Sequence, residues 1–143
     1  VEALPEDLPD LQMLEAACFE PERRSKKRTL RHALRSQAQK VWLVRTSEGQ
    51  AVAAMICLLY PHTLRIYSVC VLTSFRGSGI GAGLVAVAED FARKTGRGRI
   101  SLEAAKRETK LVTWYVTLGY EIVKELPDYY APGVDALRMV KRL

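Results

Sequence analysis

Residues 65–95 carry the chain's densest chemistry. A near-unbroken apolar run, Ile66-Tyr67-Ser68-Val69-Cys70-Val71-Leu72, leads through Thr73-Ser74-Phe75 into Arg76-Gly77-Ser78-Gly79-Ile80-Gly81-Ala82-Gly83. A helical pattern then runs on to Thr95. Strand, glycine-rich turn and helix in that order suit a phosphate group. A turn stripped of Cβ atoms lets backbone N–H groups close around the anion, which also meets the positive end of the helix dipole. Arg76 adds a fixed charge beside those amides. A P-loop would need Lys-Ser/Thr after its second spaced glycine, and none is present. Gly77-Ser78-Gly79-Ile80-Gly81-Ala82 fits the dinucleotide string, and Glu103 lies about 20 residues on from it. Against that reading, Thr73 to Arg76 separate strand from glycines, and the chain is short for a dehydrogenase with its own substrate domain.

Other chemistries find less support. Cys18, Cys57 and Cys70 are odd in number, widely spaced and without a CxxC pair, so neither a disulfide framework nor a zinc site is implied. Cys70 has no recognisable base beside it and reads as a small buried hydrophobe. His62, next to Pro61 in a turn, reads as a surface residue. No stretch approaches the roughly 18 apolar residues of a membrane span, and no signal-peptide pattern opens the chain. A reducing, cytoplasmic setting is the expectation. The 143 residues suit a single domain, 1–143, and a first residue other than Met fits one excised from a longer chain. The net charge of +6 favours anionic partners, a polyphosphate cofactor among them, but no nucleic-acid motif is present. Residues 1–22 hold seven acids and no base, whereas 23–35 hold seven Lys/Arg and no acid.

Those residues need elements to position them. Val1 to Leu4 suits a short first strand. Asp7 or Asp10 is expected to cap a helix with Leu11, Leu14 and Cys18 inward, ended by Pro21. A second helix, about Lys26 to Ala38 with Ser25 as N-cap, carries a basic stripe. That stripe suits a solvated face or contact with an acidic substrate or the ribosome. Val41 to Arg45 and Ala51 to Tyr60 read as strands, the second almost wholly apolar and so central. After the glycines, Ile80, Leu84, Val85, Ala88, Phe91 and Ala92 form the inward stripe, with Glu89, Asp90, Arg93 and Lys94 opposite. Arg99 to Ala104 alternates as a strand and should pair parallel with the one before the glycines. Residues 111–118 are in conflict: β-branched and aromatic content argues for a strand, Gly119 and Glu108-Thr109 for a helix. Strands at about Tyr120–Glu125 and Val134–Arg142 are expected to flank a turn-rich Pro127 to Gly133.

Arg76, Gly79 and Gly81 also fill the Arg/Gln-x-x-Gly-x-Gly/Ala signature of the GNAT acyltransferases. Leu102-Glu103, Trp114-Tyr115 and Leu118-Gly119-Tyr120 resemble that family's next motif. Asp128-Tyr129-Tyr130 with Gly133 to Met139 resembles the tail of the branch containing the ribosomal-protein alanine N-acetyltransferases. The likeness covers Arg65 to Leu143 and, more loosely, the two N-terminal helices. It implies an α/β (α+β) fold with a central mixed twisted sheet of about 6–7 strands, about four helices and two splayed parallel strands. It also implies a helix at 111–118.

The cofactor so implied is acetyl-CoA. It would be held by Val69, Cys70 and Val71 along the strand and by Arg76, Gly77, Ser78, Gly79, Ile80, Gly81 and Ala82 around the diphosphate, with Val71 N–H as oxyanion donor. Tyr115 matches the family's general acid, or is a plain core aromatic. Glu103 matches the general base, acting directly or through water, or is a structural carboxylate. Tyr129 and Tyr130 match the wall of the acceptor groove, or are plain loop aromatics. Glu108 stands where relatives often place a cofactor-contacting Asn, and Ala104-Ala105 replaces Val-Arg. The acceptor would be a peptide or protein N-terminus: an α-amine with pKa about 7.7–8.0 is far more often neutral at pH 7 than a lysine. A small amine is the alternative acceptor. A non-catalytic acyl-CoA-binding module is a further alternative, at which Glu108 hints.

Overall fold

A computed structural model describes every residue, Val1–Leu143. Four helices, α1 (Leu8–Cys18), α2 (Lys27–Arg35), α3 (Ile80–Lys94) and α4 (Thr109–Thr117), accompany six strands. These are β1 (Gln39–Arg45), β2 (Ala51–Leu59), β3 (Thr63–Val71), β4 (Arg99–Ala105), β5 (Glu121–Ala131) and β6 (Val134–Arg142). The strands bond in the order β1-β2-β3-β4-β6-β5, and β3–β4 is the parallel pair. That ladder joins Thr63–Ile66 to Arg99–Leu102 and stops, leaving Tyr67–Val71 outside it. This is the mixed sheet of six strands with a parallel pair that the resemblance implies. The chain packs as two compact units, 1–59 with 67–87 and 60–66 with 88–143.

In the first unit, β2 is buried along seven of its nine residues, as its apolar run predicts. Leu11 and Leu14 of α1, Leu30 and Ala33 of α2, Val41, Leu43 and Ile56 of the sheet, and Cys70 of β3 form one apolar cluster. Burying such side chains contributes roughly 1.5–3 kcal/mol each. Val1 to Leu4 forms only a bridge, Glu2 with Trp42, rather than a strand. Asp7 stands at the N-cap of α1 without capping it; its carboxylate accepts from Leu4 N–H (2.7 Å) and, with Asp10, from Arg45 (2.9 and 2.8 Å). That ion pairing holds Arg45 above its ordinary pKa despite partial desolvation, the Asp10 hydrogen bond contributing most. α2 is shorter than expected and its N-cap is Lys26 rather than Ser25, whose N–H donates to Glu15 (3.0 Å).

In the second unit, Ile100, Leu102 and Ala104 are buried while Ser101 and Glu103 take the other face of β4, as the alternation predicts. Residues 109–117 are helical, so the apolar contacts of Tyr115 outweigh β propensity. β5 runs through the segment expected to be a turn. It carries irregularities at Ile122/Lys124 and Leu126/Ala131, and Asp128 takes φ 55°. Glu89, assigned by spacing to the solvent face of α3, is buried at 8% exposure.

Candidate functional site

The glycine turn is built as the anion argument requires. Gly77 and Gly79 take φ of 81° and 86°, a region that L side chains rarely adopt. A Cβ at either would meet no protein atom within 4 Å, so the turn lies open on that side. Gly79 C=O accepts the first bond of α3, from Gly83 N–H at 2.9 Å. The N–H groups of Ile80, Gly81 and Ala82 therefore fall in the first turn, where no intrahelical acceptor exists. Ser78 Oγ donates to Phe75 C=O (2.6 Å), which tightens the approach. Arg76 is exposed, its Nε anchored on Val71 C=O (2.9 Å). Its two terminal amino groups have no partner in the chain. An open turn, a row of amides and a tethered cation fit a diphosphate. Val69 and Val71 are half-buried on β3 and Cys70 is buried between them. Burial, with the neighbouring Cys18, pushes the Cys70 thiol up, which keeps it protonated and a poor nucleophile.

In the second unit the structure brings Glu103, Tyr129 and Tyr130 together. The Glu103 side chain is 5% exposed. Its Oε1 pairs with Arg65 (2.5 Å) and its Oε2 with Arg138 (3.2 Å). Arg65 also donates to the Tyr129 hydroxyl (2.8 Å), which in turn reaches Glu103 Oε1 at 3.5 Å. Tyr130 donates to Glu103 C=O (3.2 Å), and the two tyrosine rings meet edge to face at 5.0 Å. Burial pulls the Arg65 pKa down, but Glu103, Tyr129 and Tyr60 together raise it.

Tyr115 belongs to a different cluster. It is 6% exposed, with its ring 4.9 Å from Trp114 and 5.6 Å from Tyr120, both edge-on. Tyr120 donates to Glu89 Oε2 (3.1 Å), and Lys141 closes on Glu89 Oε1 (2.9 Å). Glu108 is half-buried at the N-cap of α4, its N–H on Ala105 C=O (3.0 Å).

Sequence reasoning passed over Arg65, Arg138, Glu89, Tyr120 and Lys141. A signal for Glu89 existed: it lies four residues after Val85 and three before Ala92, squarely on the buried stripe. Arg65 and Arg138 were visible only once strand register placed Arg65 against Ser101 and Arg138 against Glu103.

Two relatives in sequence are an N-alpha-acetyltransferase MAK3 of Arabidopsis thaliana, 31% identical over 96 residues, and an N-alpha-acetyltransferase 30 of Schizosaccharomyces pombe, 31% over 94. The matches take in 64% and 62% of this chain but only 50% and 63% of those proteins, so the chain spans about half to two thirds of their length. In fold, the chain superposes on the ribosomal-protein-S18-alanine N-acetyltransferase of Escherichia coli with TM-score 0.90 at 18% identity, covering 99% of this chain and 91% of that one. Arabidopsis thaliana NAA60, solved with a bisubstrate analogue, gives 0.88 at 12%, covering 99% and 95%. The fold, the open glycine turn and the motif residues agree with a family model that matches residues 8–120, most of the sequence: this chain belongs to the acetyltransferase (GNAT) family.

Proposed function

We propose that the chain transfers an acetyl group from acetyl-CoA to a primary amine, the N-terminal α-amine of a peptide or protein. The observation that carries this is the 31% identity to two N-alpha-acetyltransferases. In this reading the Arg76–Ala82 turn holds the diphosphate of coenzyme A, Val69–Val71 flank its pantetheine arm, and Glu108 borders the cofactor. Bound acetyl-CoA supplies an activated thioester. As the family resemblance implies, Tyr115, its ring packed edge-on against Trp114 and Tyr120, donates a proton to the departing sulfur. Val71 N–H donates to the developing oxyanion.

Tyr129 and Tyr130 wall the acceptor groove, and Glu103 holds that wall together. An incoming ammonium would have to compete with Arg65 and Arg138 for the Glu103 carboxylate. We therefore assign Glu103 the positioning of Tyr129, through Arg65, rather than proton abstraction. The amine enters already neutral, as roughly a tenth of α-amines are at pH 7; the proton its nitrogen sheds on forming the amide leaves to solvent, and solvent returns one to the Tyr115 phenolate. The setting of the reaction is the cytoplasm.

The test is acetyl-CoA turnover on free N-terminal peptides beside amino acids and polyamines. Peptide turnover that falls about 10²-fold or more in Tyr115→Phe is expected. Coenzyme A binding without turnover on any amine would sink the enzymatic reading, and turnover confined to small amines would replace the acceptor.

A further inference from the structure

Strand register places more charge beside Glu103 than Glu103 balances. Arg138 on β6 lies directly opposite both Glu103 on β4 and Lys124 on β5. Side chains opposite one another in an antiparallel pair leave the same face, with Cβ atoms about 4.5–5.5 Å apart, and like charges so placed are destabilising. The chain provides no full compensation. Glu103 Oε2 takes Arg138 Nε, whereas the two terminal amino groups of Arg138 have no partner and Lys124 makes no ion pair. Glu121, paired with Val140 further along that face, bonds to neither cation. The Arg138 side chain is 41% exposed and Lys124 is exposed, so both remain reachable. Arg138 adjoins Tyr129 through Glu103, and Lys124 joins them as the cross-strand neighbour of Arg138.

We propose that Arg138 and Lys124 form a subsite for a carboxylate side chain of the acceptor, so that favoured substrates carry Asp or Glu within their first few residues. This rests on the reading of Tyr129 and Tyr130 as the acceptor's wall. The free edge of the Arg138 guanidinium presents two amino groups to a carboxylate, and Lys124 adds a point charge beside it. The same pair of cations repels acceptors that are basic there. Because both groups touch solvent, the preference is moderate and weakens with salt.

The probes are short peptides with a free N-terminus, identical except for Asp-Asp, Asn-Asn or Lys-Lys after the first residue. At low ionic strength the Asp peptide should have a KM about fivefold below the Asn peptide, with the Lys peptide weakest. Lys124→Glu should narrow or reverse that order. Equal KM values, or a preference for lysine, would overturn the subsite. Calorimetric binding of the same peptides to the protein saturated with coenzyme A gives a readout that needs no turnover. A tighter Asp peptide with no acetylation of any peptide would keep the subsite and remove the N-terminal acetyltransferase reading. Acetylation of all three with equal affinity would do the reverse.

Discussion

Tyr120 meets the ring of Tyr115 edge-on at 5.6 Å while its hydroxyl donates to the buried carboxylate of Glu89 at 3.1 Å. Lys141 completes the arrangement, 2.9 Å from Glu89 and 5.8 Å from the centre of the Tyr120 ring. A buried carboxylate thus fixes the ring that fixes the proposed acid. Tyr120→Phe keeps the aromatic contact and removes one donor from Glu89, so it should cost about 1–2 kcal/mol in urea unfolding and leave kcat close to wild type. Tyr120→Ala should cost about 3–5 kcal/mol and lower kcat more than it raises KM, because Tyr115 loses one of its flanking rings. Equal kcat in the two variants would separate Tyr120 from the chemistry.

The glycine turn permits a test with an internal control. Gly79 (φ 86°) and Gly49 (φ 91°) both take a left-handed conformation, and an added Cβ meets nothing within 4 Å at either. Gly79→Ala and Gly49→Ala should each cost about 1–3 kcal/mol of stability through backbone strain. Only the first puts a methyl group where the diphosphate is proposed to lie. Its KM for acetyl-CoA should rise more than about tenfold, while Gly49→Ala, in the β1–β2 turn, should leave KM unchanged. Titration calorimetry with coenzyme A checks both without turnover.

The two halves of the site differ in how far the sequence reveals them. The glycine turn is a local device: spacing, φ preference and the helix start all lie within eight residues, so Arg76 to Gly83 reads directly. The Glu103 cluster is not local, since Arg65, Glu103, Tyr129 and Arg138 meet only through the β3–β4, β4–β6 and β5–β6 pairings. A one-residue slip would send each side chain to the opposite face. Residues 111–118 stay in conflict by local signals, β-branched and aromatic content against the helix signals of Glu108-Thr109 and Gly119; they fold as helix, as the resemblance implies, with Tyr115 buried. The segment before Gly133 reads as a turn because Pro, Asp and Gly are punctuators. It stays in β5 as far as Ala131 apart from a left-handed Asp128, and turns only at Pro132-Gly133, with Asp128 N–H held by Asp135 (2.9 Å) and Gly133 N–H by Asp128 (2.6 Å).

The buried thiols predict an alkaline weakness. Burial pushes the Cys57 thiol well above its ordinary range, and Cys70 moves in the same direction. With a folded pKa above the unfolded value, the fold favours the protonated form. The contribution is complete below about pH 8.5 and is lost as pH rises beyond it, at about 1.4 kcal/mol per pH unit for each thiol. Cys57→Ala should flatten the fall in unfolding free energy between pH 8.5 and 10 by about that slope. In the native protein Cys18, the one cysteine not fully buried, should react first with iodoacetamide.

The pH dependence of catalysis separates the two roles weighed for Glu103. If the acceptor arrives neutral and Glu103 only braces Tyr129, kcat/KM should rise about tenfold per pH unit up to the pKa of the acceptor's own amine, about 7.7–8.0, and then level off. Acceptors with more acidic amines should shift that break downward by the difference in their pKa. Glu103→Gln should keep the shape of the profile, because no proton passes through the carboxylate. It should lower stability by about 3 kcal/mol, since Arg65 and Arg138 would lose their shared anion in a largely desolvated position. Arg65→Lys keeps the charge but loses the guanidinium amino group that touches both Glu103 and Tyr129, so it should raise acceptor KM without moving the break. A break that stays fixed across acceptors and disappears in Glu103→Gln would instead make Glu103 the base.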